Sequence, residues 1–145
     1  MKVYSSEAGG RVIVLRLNRG DLLRECIEEA IRQENIQDGT LVCGYGTLDN
    51  CCLHMINTID EFPAREDFPR WENYPLELVS MTGVIADGEA HIHAVISDKG
   101  KAIGGHLEPG CRVIYLAEVV IYEHRNLTLT RKPTDWGPLA LEPKA

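Results

Sequence analysis

No stretch of this chain approaches the ~20 consecutive apolar residues that a membrane-spanning helix needs. The opening Met1-Lys2-Val3-Tyr4-Ser5-Ser6-Glu7 carries charge without an apolar core, so a secretory signal is not expected. Basic residues are few: 15 Lys and Arg stand against 22 Asp and Glu, giving a net charge of -7, and no basic run is denser than Arg131-Lys132. Neutralising phosphates supplies most non-specific affinity for nucleic acid, so the domain alone is not expected to bind DNA or RNA. Cysteine is sparse and unpatterned. Cys26, Cys43, Cys51, Cys52 and Cys111 are odd in number and contain no Cys-x-x-Cys, which predicts reduced, mostly buried thiols and a cytoplasmic location. There is no Gly-rich phosphate loop, because Gly44-Tyr45-Gly46 leads from a strand into another strand rather than a helix. No Ser sits in a nucleophile-elbow context.

What remains is an ordinary globular composition, 44% hydrophobic and 26% charged over 145 residues, enough for one domain with a real core. Arg11 to Leu17 alternates as a strand. Leu22, Leu23, Cys26, Ile27, Ala30 and Ile31 recur at helical spacing, with Arg24, Glu25, Glu28, Glu29 and Arg32 on the other face. This predicts one amphipathic helix over about Asp21 to Glu34, with Asp21 as its N-cap. Strands are expected at Thr40–Tyr45, Cys51–Ile59, Pro75–Ile85, Ala90–Ser97, Lys101–His106, Cys111–Tyr122 and Asn126–Arg131. A bend falls at Gly44-Tyr45-Gly46, a loop at Glu61–Asn73, and turns at Ala86-Asp87-Gly88-Glu89, Asp98-Lys99-Gly100 and Glu108-Pro109-Gly110. One helix and many hairpin-linked strands imply an α+β fold: a single domain over residues 3–131 with a mixed, mostly antiparallel sheet, followed by a tail over 132–145.

Three of the five histidines lie within sixteen residues. His91 and His93 are two apart on a predicted strand, so their rings share a face. A hairpin turning at Asp98-Lys99-Gly100 would bring His106 back beside His91, and Gly104 and Gly105 would leave that face unobstructed. Three imidazoles on adjacent strands can hold Zn²⁺ or another divalent metal and leave one position open. The cupin pattern also joins Gly to His-x-His, but here Gly88 is too close to His91 and the following Glu ligand is absent. His54 and His124 read as structural or exposed.

The run Gly88-Glu89-Ala90-His91-Ile92-His93-Ala94-Val95-Ile96-Ser97-Asp98, then Gly104-Gly105-His106-Leu107 and Ala117-Glu118-Val119-Val120-Ile121, resembles the PPC domain, the "plants and prokaryotes conserved" domain. Gly44-Tyr45-Gly46-Thr47-Leu48, Pro75-Leu76-Glu77-Leu78-Val79-Ser80-Met81-Thr82-Gly83 and Leu15-Arg16-Leu17 with Gly20-Asp21 fit the same pattern, so the resemblance covers about Val3 to Thr130. It implies a homotrimer. Plant members use the domain for assembly and for contacting other nuclear proteins, while a separate Arg-Gly-Arg-Pro core contacts DNA. This chain lacks that core and looks like the stand-alone prokaryotic form, in a family whose members are sometimes labelled DNA-binding.

Other chemistry-bearing residues read as structural. Arg16 suits a salt-bridged strand, Glu77 and Glu118 need partners inside apolar segments, Asp98 is a turn residue and Cys111 a core thiol. Two functions are therefore open. One is an oligomeric binding and assembly module with a metal site at His91, His93 and His106, whose partners are itself and either other proteins or a small molecule. The other is a metal-dependent enzyme acting on a small molecule through the same histidines, which would need a general base from among Glu89, Asp98 and Glu108.

Overall fold

The computed structural model describes residues 1–7 and 9–144, with side chains at Met1 and from Gly9 onward. Its elements run β1 (Lys2–Glu7), β2 (Arg11–Asn18), α1 (Leu23–Gln33), β3 (Gly39–Ile56), β4 (Glu66–Asp67), β5 (Arg70–Trp71), β6 (Leu76–Ala86), β7 (Glu89–Ser97), β8 (Ala102–Leu107), β9 (Arg112–Glu123), β10 (Leu129–Lys132) and β11 (Ala140–Pro143). The main sheet orders them β1-β2-β9-β3-β6-β7-β8, and β8 also pairs back onto β3. Among the described residues every ladder between these strands is antiparallel, so no mixed pairing is found there. The α+β class holds, with one helix on a strand-rich domain.

α1 lies against this sheet because its apolar face recurs every three or four residues. Leu23, Ile27, Ala30 and Ile31 are buried with Ile13, Leu15 and Leu17 of β2 and Val119 and Ile121 of β9. Asp21 is not the cap: Leu22 holds that position with no side-chain hydrogen bond, and the Asp21 carboxylate instead accepts the Asn18 N–H at 2.8 Å. The helix ends in a Schellman motif. Asn35 turns left-handed (φ 53), its N–H donates to Arg32 O, and the Ile36 N–H donates to Ile31 O at 2.9 Å.

β3 replaces the two strands and bend expected between Thr40 and Ile59. It is one strand of 18 residues that absorbs the irregularity as register shifts near Val42, Thr47 and Asp49. Its first half pairs with β6 and β9, and its end, at Leu53 and His54, pairs with β8. β3, β6, β7 and β8 thus close into a ring. Asp87 and Gly88 both have positive φ (55 and 78), which gives the tight hairpin turn between β6 and β7.

The C-terminal segment folds back as the β10–β11 hairpin. It is tied down by Leu129 N–H to the buried Asp38 carboxylate (2.7 Å) and by the Arg131 guanidinium to Val84 O (2.8 Å) and Glu89 O (3.0 Å). Among the described residues no helix is long and apolar enough to cross a membrane.

Candidate metal centre

Closure of the ring sets the histidines in a row. His54 on β3 is the register partner of His106 on β8, and His106 is the partner of His93 on β7. Directly opposed residues in an antiparallel pair point to the same face, and His91 shares it two residues along from His93. His106 therefore stands opposite His93 and not opposite His91, yet its ring centroid lies 4.9 Å from His91 and 5.8 Å from His93, edge-on to both. The His91 and His93 rings stack at 5.2 Å with their Nε2 atoms 3.2 Å apart. The hairpin that makes this possible turns where expected. Asp98 accepts the backbone N–H of Gly100 (2.7 Å) and Lys101 (2.9 Å), which gives it the turn role.

Glu108 lies two residues beyond His106. Its Oε1 is 2.9 Å from His106 Nδ1 and 3.4 Å from His54 Nδ1, and its Oε2 is 3.6 Å from Arg24 Nη1. His54, His106 and Glu108 bring three donor atoms within 4.8 Å of one another, a tighter group than the three histidines chosen from sequence. His54 is further held by Phe68, stacked on it at 4.6 Å, and by Glu66, whose Oε1 lies 3.1 Å from Nε2 but out of hydrogen-bond alignment. Sequence reasoning passed over His54 because its neighbourhood depends on the β3–β8 pairing, across some fifty residues. Glu108 is expected from sequence only as a candidate general base; its place beside His106 follows from His106-x-Glu108, which repeats the spacing of His91-x-His93.

The electrostatics favour neutral imidazole, the form that ligates. His91 is pushed below the usual imidazole value, first by partial burial and then by His106, His93, Arg131 and Arg24. His93 is lowered by partial burial, then by His106 and His54. All four rings line one open cleft of about 750 Å³, together with Met55, Ile56, Glu66, Gly104, Gly105 and Pro138. His124 is elsewhere, its Nε2 2.9 Å from Thr40 Oγ1. Glu118 takes a structural role with Arg16 (3.9 Å) and the Tyr45 hydroxyl, Glu77 is exposed and Cys111 is fully buried.

A model of the Plants and Prokaryotes Conserved (PCC) domain matches residues 4–125. The chain belongs to this family. Bifunctional protein GlmU of Synechococcus sp. (strain JA-3-3Ab) is 28% identical over 124 residues, covering 85% of this chain and 19% of GlmU. The chain thus spans about a fifth of the curated relatives it matches. A metal-containing protein of Archaeoglobus fulgidus superposes with a TM-score of 0.77 at 22% identity, covering 96% of each chain. A protein of Bacteroides thetaiotaomicron described as a candidate DNA-binding protein superposes at 0.79 with 16% identity, covering 97% of this chain and 96% of its own. These likenesses show the PCC fold.

Proposed function

We propose that this PCC domain is a binding module that holds a divalent metal, best Zn²⁺, at His91, His93 and His106, and presents it to a small ligand in the cleft. The observation that carries the reading is the His91–His93 pair. Two neutral imidazole nitrogens facing each other at 3.2 Å match the roughly 3.3 Å between two nitrogens on a tetrahedral Zn²⁺ with Zn–N bonds of about 2.0–2.1 Å. Glu108 supports it. By accepting the proton on His106 Nδ1 it fixes the tautomer that leaves Nε2 with a free lone pair, the usual role of a carboxylate behind a metal-bound histidine. Such a metal supplies Lewis acidity and an open coordination position. The protein's own part is to keep the rings neutral, fixed in orientation and open on the cleft side.

The test is metal content of tag-free protein purified without chelator, beside His93→Ala. Near-stoichiometric metal in the parent and its loss in the variant is the expected result. No metal in the parent, even after Zn²⁺ is offered, removes the reading.

The module is also proposed to be a homotrimer. An exposed groove on the sheet is lined by Tyr45, Val79, Tyr115 and Leu116, and Tyr115 keeps 76% of its surface. Apolar patches of this kind mark association surfaces. The enzymatic alternative, metal-dependent chemistry on a small molecule, gains one observation: Glu66 stands in the same cleft beside His54, where a proton acceptor would be needed. Glu89, Asp98 and Glu108, weighed for that role from sequence, do not line the cleft.

A further inference from the structure

The family match ends at residue 125, yet Pro138 lines the histidine cleft. The wall therefore includes a part of the chain outside the matched domain. It is held in place by the Arg131 contacts to Val84 O and Glu89 O and by the β10–β11 ladder. With Met55 and Ile56 of β3 and the bare backbone of Gly104, this makes most of the cleft beyond the histidines apolar. Ile56 leaves 67% of its surface open there. Ligand pockets of about 300–1,000 Å³ take small molecules, and this cleft of about 750 Å³ lies within that range.

Charge is unevenly placed along it. At the His91 end, Arg131 grips the backbone of β6 at Val84, the register partner of His91, and of β7 at Glu89. Arg24 is close by, bonded to Leu107 O at 3.0 Å. Both guanidiniums are engaged with carbonyls or with Glu28 and Glu108 and neither lines the cleft, so they form no phosphate clamp, and the charge that would draw an anionic head is that of the metal itself. At the His54 end the carboxylate lining the cleft is Glu66, 3.1 Å from His54 Nε2.

We propose that the cleft selects a monocarboxylate with an apolar body, its head at the histidine-held metal, its body along Met55, Ile56 and Pro138, and its far end discriminated against a second carboxylate by Glu66. This rests on the metal reading above, and the experiment separates the two. Co²⁺ is offered to chelator-treated protein, and its visible absorption is titrated with acetate, octanoate and octanedioate. A Co²⁺ spectrum with tetrahedral intensity, lost in His93→Ala, confirms the metal; its absence overturns both ideas. With the metal confirmed, octanoate should perturb the spectrum with a Kd at least about tenfold below that of acetate, since each buried methylene contributes about 0.8 kcal/mol. Octanedioate should bind several-fold more weakly than octanoate, and Glu66→Gln should close that gap. Ile56→Gln should weaken octanoate several-fold and leave acetate unchanged; if that variant does not fold, Pro138→Ser carries the same test. Equal affinity for acetate and octanoate, or indifference to both wall substitutions, overturns the proposal while leaving the metal site intact.

Discussion

Glu108 takes three partners at once, His106, His54 and Arg24, at 2.9, 3.4 and 3.6 Å. A carboxylate so placed fixes the His106 tautomer and ring direction, and removing such an outer partner typically weakens metal binding about 10–100-fold. Glu108→Gln should fall in that range by chelator competition, while His54→Ala, which leaves the Glu108–His106 bond standing, should cost less. Equal losses would make His54 a ligand and shift the site toward the His54–His106–Glu108 group. The histidines also set a pH dependence. His91 and His93 have folded-state values below the ordinary ~6.5 of imidazole. Between 6.5 and those lower values the unfolded chain binds more protons than the folded one, so metal-free stability is full above pH 6.5 and declines as pH falls through the window. Urea unfolding of chelator-treated protein should show that decline, and it should shrink in a His91→Ala, His93→Ala double variant. For the same reason metal occupancy should persist further below pH 6.5 than for unshifted imidazoles, because protons compete less well for rings already biased to the neutral form.

The elements that sequence revealed are those whose signals are local. The α1 face, the left-handed Asp87-Gly88 turn and the Asp98 hairpin each depend on a few neighbouring residues, and they stand where periodicity and turn chemistry put them. The same locality placed His91 and His93 on one face and brought His106 back to them. What local reading lost is what the ring closure creates. Gly44-Tyr45-Gly46 has the composition of a break, but flanking strands on both sides carry β3 straight through it, with Gly46 (φ 156) lying too close to Leu116 O for any side chain. His54 entered the site only because β3 runs on far enough to meet β8. Gly105 guards that meeting: a Cβ there would lie 2.7 Å from His54 O. Gly105→Ala should therefore push β8 away from β3, at about 1–3 kcal/mol as for other overpacked positions. Denaturant unfolding measures the cost, and metal affinity should fall with it. Gly110→Ala, where no atom lies within 4 Å but φ is 89, should destabilise by backbone strain while leaving the metal site in place. An undiminished metal affinity in Gly105→Ala would show that the β3–β8 contact does not position the histidines.

At the scale of the whole molecule, two questions stand apart from the cleft, assembly and nucleic acid. The first concerns the groove at Tyr45, Val79 and Tyr115, on β3, β6 and β9, which shares no lining residue with the histidine cleft and where several large apolar side chains stand open together. Burying them between copies would remove apolar area from water at roughly 25 cal/mol per Å². A sedimentation mass of three chains is the expected result, and Tyr115→Glu should shift it toward one chain without changing metal content. The other question is nucleic acid, raised because a fold relative is described as a candidate DNA-binding protein. Electrostatics decides it here. The chain carries -7, and several cations that could face phosphate are already paired: Arg11 with Glu34 and Glu123, Arg24 with Glu28, Arg112 with Asp49, Lys132 with Glu142, and Lys144 with Asp87. Each such cation would have to give up a carboxylate to take a phosphate, and uncompensated acidic groups nearby would repel the backbone throughout. Three copies would multiply that negative charge. Affinity for duplex DNA should therefore be weak at physiological salt and remain weak as salt is lowered, because few counterions are released when few phosphates are neutralised. A mobility-shift titration across salt concentrations gives the slope directly. A steep slope with tight binding at low salt would reveal a basic face made by assembly, and would return DNA to the list of ligands.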